Sequence, residues 1–308
     1  MTTKSIDLEN EIPILDLKGR LTYIVIKAIL WFFWFMPKPL FKAFCFVAYR
    51  LAYQFSQKQK KIISRNINFI YKLPPHSNFS KSFVRQVMKH QVYSSLESFR
   101  FIKKYDQFEF SGLEDFKKNL DSCGENGVVA ITGHLGAWEL LARITPLQTS
   151  KEFYAVAKPS KNSGMSKVLN EIRNENGTEI LWSGQSSLLR DMSKVLKDGN
   201  MLALVMDQKP KNRQGPSVNF LGIETTFVAG PATLTTKLGS STFAFFCMRE
   251  GFCKYRLFTS NMTDLSMDLR ERTQSYASKI EEMIRVYPEQ WCWNYRRWTL
   301  KEKRSENL

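Results

Sequence analysis

Histidine is scarce in this chain, which narrows the choice of a general base. The 308 residues hold three histidines, and His134 directly follows a short buried strand predicted over residues 127–132. In an open α/β sheet, ligands bind at the carboxyl ends of the strands. An imidazole placed there can take a proton from an alcohol near neutral pH. His76 lies in a Pro-Pro turn and His90 on a basic helix, so we interpret both as solvated or capping groups.

Glu139 lies five residues after His134, at the start of a helix predicted over residues 137–144. From there its carboxylate can reach one ring nitrogen, fix the tautomer and stabilise the imidazolium. Gly133 and Gly136 allow a tight turn and close approach of a substrate to the backbone. The N–H groups and positive dipole end of the helix suit a developing oxyanion. A base, an orienting acid and an anion site together indicate acyl transfer to a hydroxyl.

Strands and helices alternate through the middle of the chain. Strands are predicted over residues 127–132, 153–157, 179–182, 201–206 and 242–248. The helices are predicted over residues 137–144, 165–174, 187–197, 230–238 and 269–286, with two amphipathic helices over 56–105. Strands separated by helices require crossover connections, so we predict an α/β fold with a mainly parallel central sheet flanked by helices.

A segment near the N-terminus, residues 20–55, is predicted to associate with a membrane. The division is a mobile arm over residues 1–19, membrane-associating helices over 20–55 and an acyltransferase α/β domain over 56–308. One alternative for the middle segment is a single anchor over residues 21–36. The other is a pair of helices that lie in the interface and hinge at Pro37. A third interpretation is a helical hairpin in the core of a soluble protein.

Composition restricts the partners. Lys and Arg number 45 against 29 Asp and Glu, and the net charge of +16 attracts polyanions. An aromatic content of 13% favours a membrane surface over a nucleic acid, and no helix-turn-helix or zinc finger is present in the sequence. The sequence has no glycine-rich nucleotide loop and no Gly-x-Ser-x-Gly, and its cysteines lack metal-ligand spacing. We therefore expect no nucleic-acid partner, no cofactor and no metal.

Four sequence blocks carry a resemblance to a known family. They are Thr132-Gly-His-Leu-Gly-Ala-Trp-Glu-Leu140, Met206-Asp-Gln208, Val218-Asn-Phe-Leu-Gly222 through Ala229-Gly-Pro-Ala232, and Pro288-Glu-Gln-Trp-Cys-Trp-Asn-Tyr-Arg-Arg-Trp298. In this order they resemble the lipid A late acyltransferases, the lauroyl/myristoyl acyltransferases of lipopolysaccharide synthesis. The resemblance covers residues 20–300, and the four blocks together are highly specific.

The resemblance implies a glycerolipid-acyltransferase-like fold and a membrane-bound enzyme without a metal. It implies an acyl carrier protein thioester as donor and a hydroxyl of an acylated glucosamine lipid as acceptor. It also implies that His134 and Glu139 form the catalytic pair, at the bacterial inner membrane with the catalytic domain facing the cytoplasm. Relatives often carry Tyr-Arg-Pro where this chain has Ala157-Lys-Pro159. Lys158 keeps the charge but loses the bidentate fork, which leaves the phosphate contacts and the acceptor open.

Further polar residues are candidates for substrate binding, each with a structural alternative. Asp207 and Gln208 could bind an acceptor sugar, position backbone near His134 or cap a loop. The basic candidates are Arg143, Lys158, Arg173, Arg296 and Arg297, and Gly136 could allow backbone approach. Arg143 could tune Glu139, bind phosphate or be a solvated helix residue. Arg296 and Arg297 could bind a lipid phosphate or pack among the C-terminal tryptophans.

Two further classes of function compete with acylation of a lipid A precursor. The first is acylation of another lipid acceptor, such as a phosphatidylinositol mannoside, a lysophospholipid or an aminolipid. The second is a membrane-binding module without catalysis, against which the intact His134–Glu139 pattern argues. Either an acyl carrier protein or coenzyme A could carry the acyl group.

Overall fold

A seven-stranded sheet forms the centre of the molecule. The computed structural model describes residues 15–74, 77–210 and 215–298. In these residues the sheet order is β1-β9-β8-β2-β5-β3-β4, and β6 and β7 form a separate hairpin. The strands are β1 (Glu109–Ser111), β2 (Val128–Thr132), β3 (Phe153–Ala157), β4 (Thr178–Trp182), β5 (Met201–Val205), β6 (Ser217–Phe220), β7 (Ile223–Thr226), β8 (Ser241–Gly251) and β9 (Lys254–Asn261).

Ten α-helices flank the sheet or precede it in the described residues. They are α1 (Leu17–Phe35), α2 (Lys38–Phe55), α3 (Gln57–Ile70), α4 (Asn78–Phe101), α5 (Leu113–Asp121), α6 (Trp138–Ile144), α7 (Ser163–Asn174), α8 (Leu188–Lys197), α9 (Gly230–Leu238) and α10 (Leu269–Val286). The crossover helices place apolar layers on both faces of the sheet. Every residue of β2 is consequently buried.

The prediction of a mainly parallel sheet is confirmed. Strand β2 pairs in parallel with both β5 and β8, and β3 pairs in parallel with β4 and β5. Only β8 and β9 pair antiparallel within this sheet of the described chain. In the register of β2 and β5, Thr132 lies opposite Val205. The residues two positions beyond each strand end, His134 and Asp207, are therefore brought to the same edge of the sheet.

The two N-terminal helices meet at Pro37. Asp16 caps α1 by accepting a hydrogen bond from the Gly19 N–H at 2.8 Å. The predicted arm over residues 1–19 is therefore too long at its C-terminal end, because α1 begins at Leu17. Residues 1–14 of the predicted arm lie outside the described residues, as does His76.

None of the described helices combines the length and apolar character that crossing a membrane requires.

One side of α1 and α2 packs onto the rest of the protein. Leu30 and Phe33 of α1 and Phe41 of α2 share a buried cluster with Tyr93 and Val168. Other large apolar side chains of the two helices are exposed, and they are Leu17, Leu21, Ile24, Val25, Ile29, Trp31, Phe32, Phe35, Leu40, Phe46, Val47, Leu51 and Phe55. The pair is thus docked on one side and apolar on the side that faces outward.

Candidate active site

His134 is held by Asp207. The ring Nδ1 lies 2.6 Å from Asp207 Oδ1, and the His134 backbone N–H donates to Asp207 Oδ2 at 2.9 Å. An ionised carboxylate only accepts, so Nδ1 carries the proton and Nε2 has the free lone pair. The side chain of Gln208 lies at that second nitrogen, with its amide nitrogen 3.2 Å from Nε2. Asp207 thus fixes the tautomer that leaves Nε2 able to accept a proton.

The C-terminal segment holds Asp207 in place. The indole N–H of Trp291 donates to Asp207 Oδ2 at 2.8 Å. The buried guanidinium of Arg297 donates to the main-chain oxygen of Asp207 and, at 3.3 Å, to that of Thr226. Its carbon lies 4.3 Å from the centroid of the Phe227 ring, a cation–π contact. Arg297 is only 1% exposed, so the prediction that it binds a lipid phosphate is wrong, and it positions Asp207.

The turn after β2 is fixed by hydrogen bonds on two sides. The N–H of Cys292 donates to the His134 carbonyl at 2.9 Å, and the N–H of Gly136 donates to the Gln290 carbonyl at 3.0 Å. The N–H of Ala137 donates to the Cys247 carbonyl at 2.8 Å. The amides of residues 136 and 137 are therefore occupied, and the predicted anion site cannot use them.

Gly136 is required by its backbone geometry. Its φ is +62°, and a Cβ there would lie 2.2 Å from the Cys247 carbonyl oxygen. A side chain would both strain the left-handed backbone and push β8 away from the turn. Gly136 therefore permits close packing of the protein on itself, which is a different role from the predicted approach of a substrate.

Glu139 does not orient His134, contrary to the prediction. Its carboxylate pairs with Arg173 of α7, and Arg173 Nη2 donates to Glu139 Oε1 at 2.8 Å. Burial raises the pKa of Glu139, but the positive charges of Arg173 and then Arg143 lower it by more. The net pKa therefore lies below its usual value. Glu139 is therefore an ionised group near the imidazole, and the carboxylate hydrogen-bonded to the ring is Asp207.

Arg143 follows Glu139 by one turn of α6. Its side chain is 1% exposed, so the alternatives of a solvated residue or a phosphate contact are wrong. Two of its nitrogens, Nε and Nη1, have no hydrogen-bond partner among residues 15–74, 77–210 and 215–298. Burial lowers the pKa of Arg143 to about 10, and the Glu139 carboxylate opposes that shift. Arg143 therefore tunes Glu139 electrostatically.

The pKa of His134 reflects two opposing effects. Burial lowers it, the Asp207 carboxylate and its hydrogen bond raise it more, and Glu139 adds a smaller increase. The net pKa is raised above the usual value for histidine. The Asp207 carboxylate therefore makes the His134 ring more basic than an ordinary histidine, as a general base requires. Trp138 lies edge-on to the ring, with centroids 5.3 Å apart.

A cavity of about 470 Å³ opens beside His134 and runs between the sheet and helices α6 and α7. Its mouth carries polar groups, and they are His134, Glu139, Lys158, Arg173 and Gln208. The rest of its wall is mostly apolar, with polar exceptions that include the buried Thr132 and Ser166, and the apolar residues are Leu141, Phe153, Ala155, Leu169, Ile180, Trp182, Ala203, Val205 and Phe245. The exposed Lys158 thus lies at the mouth, where binding of a phosphate remains a prediction. Arg296 is exposed and lines a different cavity.

The pairing of the His134 ring with Asp207 was not predicted from the sequence, which assigned that role to Glu139. The signal that could have found it is a symmetry between two strands. Each residue follows a buried strand by a single intervening residue, Gly133 after β2 and Met206 after β5. His90, in contrast, is partly buried on α4, where burial lowers its pKa to about 4.

An α/β chain with a His–Asp pair at the edge of a parallel sheet, beside a cavity with a mostly apolar wall, fits the site expected of an acyl-group enzyme. Sequence comparison agrees with this class. The family of bacterial lipid A biosynthesis acyltransferases matches residues 12–300. The chain belongs to that family, and the predicted resemblance is confirmed.

Individual relatives share part of the chain. It is similar to a phosphatidylinositol mannoside acyltransferase of Mycolicibacterium smegmatis, with 27% identity over 188 residues, which are 60% of each chain. A protein of the same description from Mycobacterium tuberculosis strain H37Rv is 25% identical over 187 residues, 59% of this chain and 58% of that protein. The matched part thus spans about 60% of the length of these curated relatives.

Replacement of Gly136 by alanine should destabilise the protein more than the same change at Gly222. Both glycines have positive φ, but a Cβ at Gly222 would meet nothing within 4 Å. We expect Gly222→Ala to cost about 1 kcal/mol of unfolding free energy through backbone strain alone. Gly136→Ala adds the clash with Cys247 and should cost about 3 kcal/mol. Urea unfolding followed by tryptophan fluorescence measures both, and equal losses would contradict the packing role.

Replacement of Asp207 by asparagine should change the pH dependence of the reaction. The base acts when His134 is neutral, so activity rises with pH through the His134 pKa. Loss of the carboxylate lowers that pKa, so the acid limb of kcat/KM should move to lower pH. The plateau should fall about 10²- to 10⁴-fold because the tautomer is no longer fixed.

Glu139→Gln serves as the matched control for this measurement. It also removes one carboxylate near the ring, but one that contributes less to the His134 pKa. The acid limb should therefore move less than in Asp207→Asn. A larger shift in Glu139→Gln would show that Glu139 is the partner that matters.

Proposed function

We propose that the protein transfers a fatty acyl group from a thioester to a hydroxyl of a membrane lipid. The observation that carries the proposal is the His134–Asp207 pair at the mouth of an apolar cavity. His134 Nε2 takes the proton of the acceptor hydroxyl as its oxygen attacks the thioester carbonyl. The C–O bond forms, the C–S bond breaks, and the imidazolium returns the proton to the departing thiolate. Asp207 stabilises the imidazolium between these two steps.

The negative charge that develops on the carbonyl oxygen needs a positive partner. Lys158 and Arg173 line the mouth of the cavity beside His134. Arg173 keeps its Nε and Nη2 on Glu139, at 3.4 and 2.8 Å. We infer that these cations supply the anion stabilisation that the occupied amides of the turn do not provide. In this role Glu139 contributes by holding Arg173 at the site.

The apolar cavity is the proposed site of the acyl chain. Its wall is built from β3, β4, β5 and β8 with α6 and α7, and it begins at the proposed base. Transfer of each methylene group from water into such a site contributes about 0.8 kcal/mol. A thioester held this way has its carbonyl near His134 and its alkyl chain along the sheet.

The exposed apolar residues of α1 and α2 support action at a membrane. Many exposed apolar side chains on one pair of helices indicate a membrane or protein contact. The aromatic side chains of Trp31, Phe32 and Phe35 suit the interfacial region of a membrane. We propose that the two helices lie in the interface of the bacterial inner membrane, with the site open to the cytoplasm. An acidic acyl carrier protein as donor would fit the net charge of +16.

The comparisons support two candidate acceptors. Membership of the lipid A family favours a hydroxyl of an acylated glucosamine lipid. The description of the mycobacterial relatives favours a phosphatidylinositol mannoside. Both are glycolipids that bear phosphate groups near hydroxyls. Mass spectrometry of the lipids from cells with and without the gene separates them by the acylated species that disappears.

The proposed reaction is tested with purified protein, an acyl carrier protein thioester and a lipid acceptor. Release of free thiol should depend on the acceptor. His134→Ala should reduce the rate about 10²- to 10⁴-fold, because the proton transfer is lost. His90→Gln removes an uncharged imidazole elsewhere and should stay within about twofold of the wild type. Thiol release unaffected in a folded His134→Ala protein would refute His134 as the base, whereas a wild type that releases no thiol in response to the acceptor would favour a binding module.

The proposed acyl site predicts a change in chain-length preference. Ala155→Leu fills the cavity, so kcat/KM for long thioesters should fall about fourfold for each methylene displaced. Short thioesters should be affected little. Ala43→Leu adds the same bulk to the exposed face of α2 and should not change the preference. The measurement compares donors of increasing length, and a uniform loss at all lengths would place the chain elsewhere.

A further inference from the structure

A second cavity adjoins the C-terminal segment. It has a volume of about 490 Å³ and is lined by residues of α3 together with Arg296 and Trp298. Four of its lining side chains are cationic, namely Lys58, Lys61, Arg65 and Arg296, and Ile62 and Trp298 add apolar surface. No aspartate or glutamate is among the lining residues in the part of the chain that the structure describes.

The cations of α3 are concentrated on one helical face. Lys58, Lys61 and Arg65 are spaced by three and four residues, so they project along the same side and repel one another. All three are exposed, and the sequence of α3 contains no acid to offset them. Within residues 15–74, 77–210 and 215–298, no salt bridge joins Lys58, Lys61 or Arg296 to a carboxylate. An anionic ligand would relieve this repulsion.

The basic cavity is connected to the segment that holds Asp207. The buried side-chain amide of Asn66 donates to the carbonyls of Trp293 at 2.7 Å and Tyr295 at 2.8 Å. The ring of Trp298 lies 5.9 Å from that of Trp291, which donates to Asp207. The cavity therefore adjoins the same C-terminal segment that holds Asp207 in the proposed active site.

The cavity also adjoins the apolar face of α2. That face ends at Phe55, whose side chain is 76% exposed, and α3 begins two residues later at Gln57. Apolar residues followed at once by basic residues are typical of a surface that enters a bilayer to the depth of the headgroups. The cations of α3 would lie where lipid phosphates lie.

We propose that this basic cavity binds the phosphate group of a lipid presented at the membrane surface. The inference rests on the proposed function and deepens it, because it assigns the polar part of the lipid to a named site. The concave shape and the apolar wall of Ile62 and Trp298 fit a headgroup together with the sugar or glycerol that it carries. The phosphate belongs either to the acceptor itself or to a neighbouring anionic lipid.

The test compares two triple variants that remove the same charge. The cavity variant is Lys58→Gln, Lys61→Gln and Arg296→Gln. The control variant is Lys117→Gln, Lys118→Gln and Lys197→Gln, which neutralises three exposed lysines of α5 and α8 outside the cavity. Both variants lose three positive charges and so have the same net charge as each other. A difference between them therefore reports the site and not the overall field of the protein.

Vesicle binding is measured by flotation with phosphatidylcholine vesicles that contain either no phosphatidylglycerol or about 20 mol% of it. The cavity variant should lose about tenfold or more of its affinity for the anionic vesicles relative to the control variant. The two should bind pure phosphatidylcholine equally. His134→Ala should bind like the wild type, so this result does not depend on whether acyl transfer occurs.

Kinetics in detergent micelles distinguish the source of the phosphate. If the acceptor supplies it, KM for the phosphorylated acceptor rises in the cavity variant and KM for the dephosphorylated acceptor does not. If neighbouring lipids supply it, only vesicle binding changes. Either result supports the proposal. Equal vesicle binding and equal acceptor KM in the two triple variants would overturn it, as would a rise confined to KM for the acyl carrier thioester, which would assign the cavity to an acidic protein.

Discussion

The contact between His134 and Asp207 depends on the register of two strands. Because β2 and β5 are adjacent and parallel, with Thr132 opposite Val205, their carboxyl ends stop at the same level. His134 and Asp207 each lie two residues beyond the end of their strand, so their side chains meet at the same edge of the sheet. A displacement of one strand by a single residue would separate the imidazole from its carboxylate. The register of β2 and β5 is therefore also a constraint on the chemistry.

The carboxylate would be costly to bury without its partners. Asp207 is 3% exposed and accepts hydrogen bonds from the His134 ring, the His134 backbone and the Trp291 indole. The guanidinium of Arg297 donates a hydrogen bond to the main-chain carbonyl of Asp207 and contacts the rings of Phe220 and Phe227. The C-terminal tryptophans and arginine thus act as a scaffold for one acidic side chain, which explains why so many large side chains converge there.

Five of the seven strands of the sheet could be predicted from sequence, but not β1 and β9, and the partners at the site could not. Strand β3 and helices α9 and α10 follow the predicted bounds, because alternating apolar runs and helical periodicity are local signals. The order of the strands is not local, and it decided that Asp207 and not Glu139 meets His134. The sequence distance of five residues favoured Glu139, but α7 supplies Arg173 to that carboxylate from a distant part of the chain. Strand β9 and the β6–β7 hairpin were also missed, since their residues lack a continuous buried run.

The side chain of Gln208 has a consequence for selectivity between alcohols and water. Its amide nitrogen lies 3.2 Å from Nε2, the atom that must accept the proton. Gln208 is exposed, so its rotation outward is sterically open. A small molecule that approaches the ring must compete with this amide, whereas a large acceptor can offset its displacement with contacts made elsewhere. In the proposed reaction this competition disfavours water as the acceptor, so Gln208 would limit hydrolysis of the acyl donor until an alcohol with enough binding surface arrives.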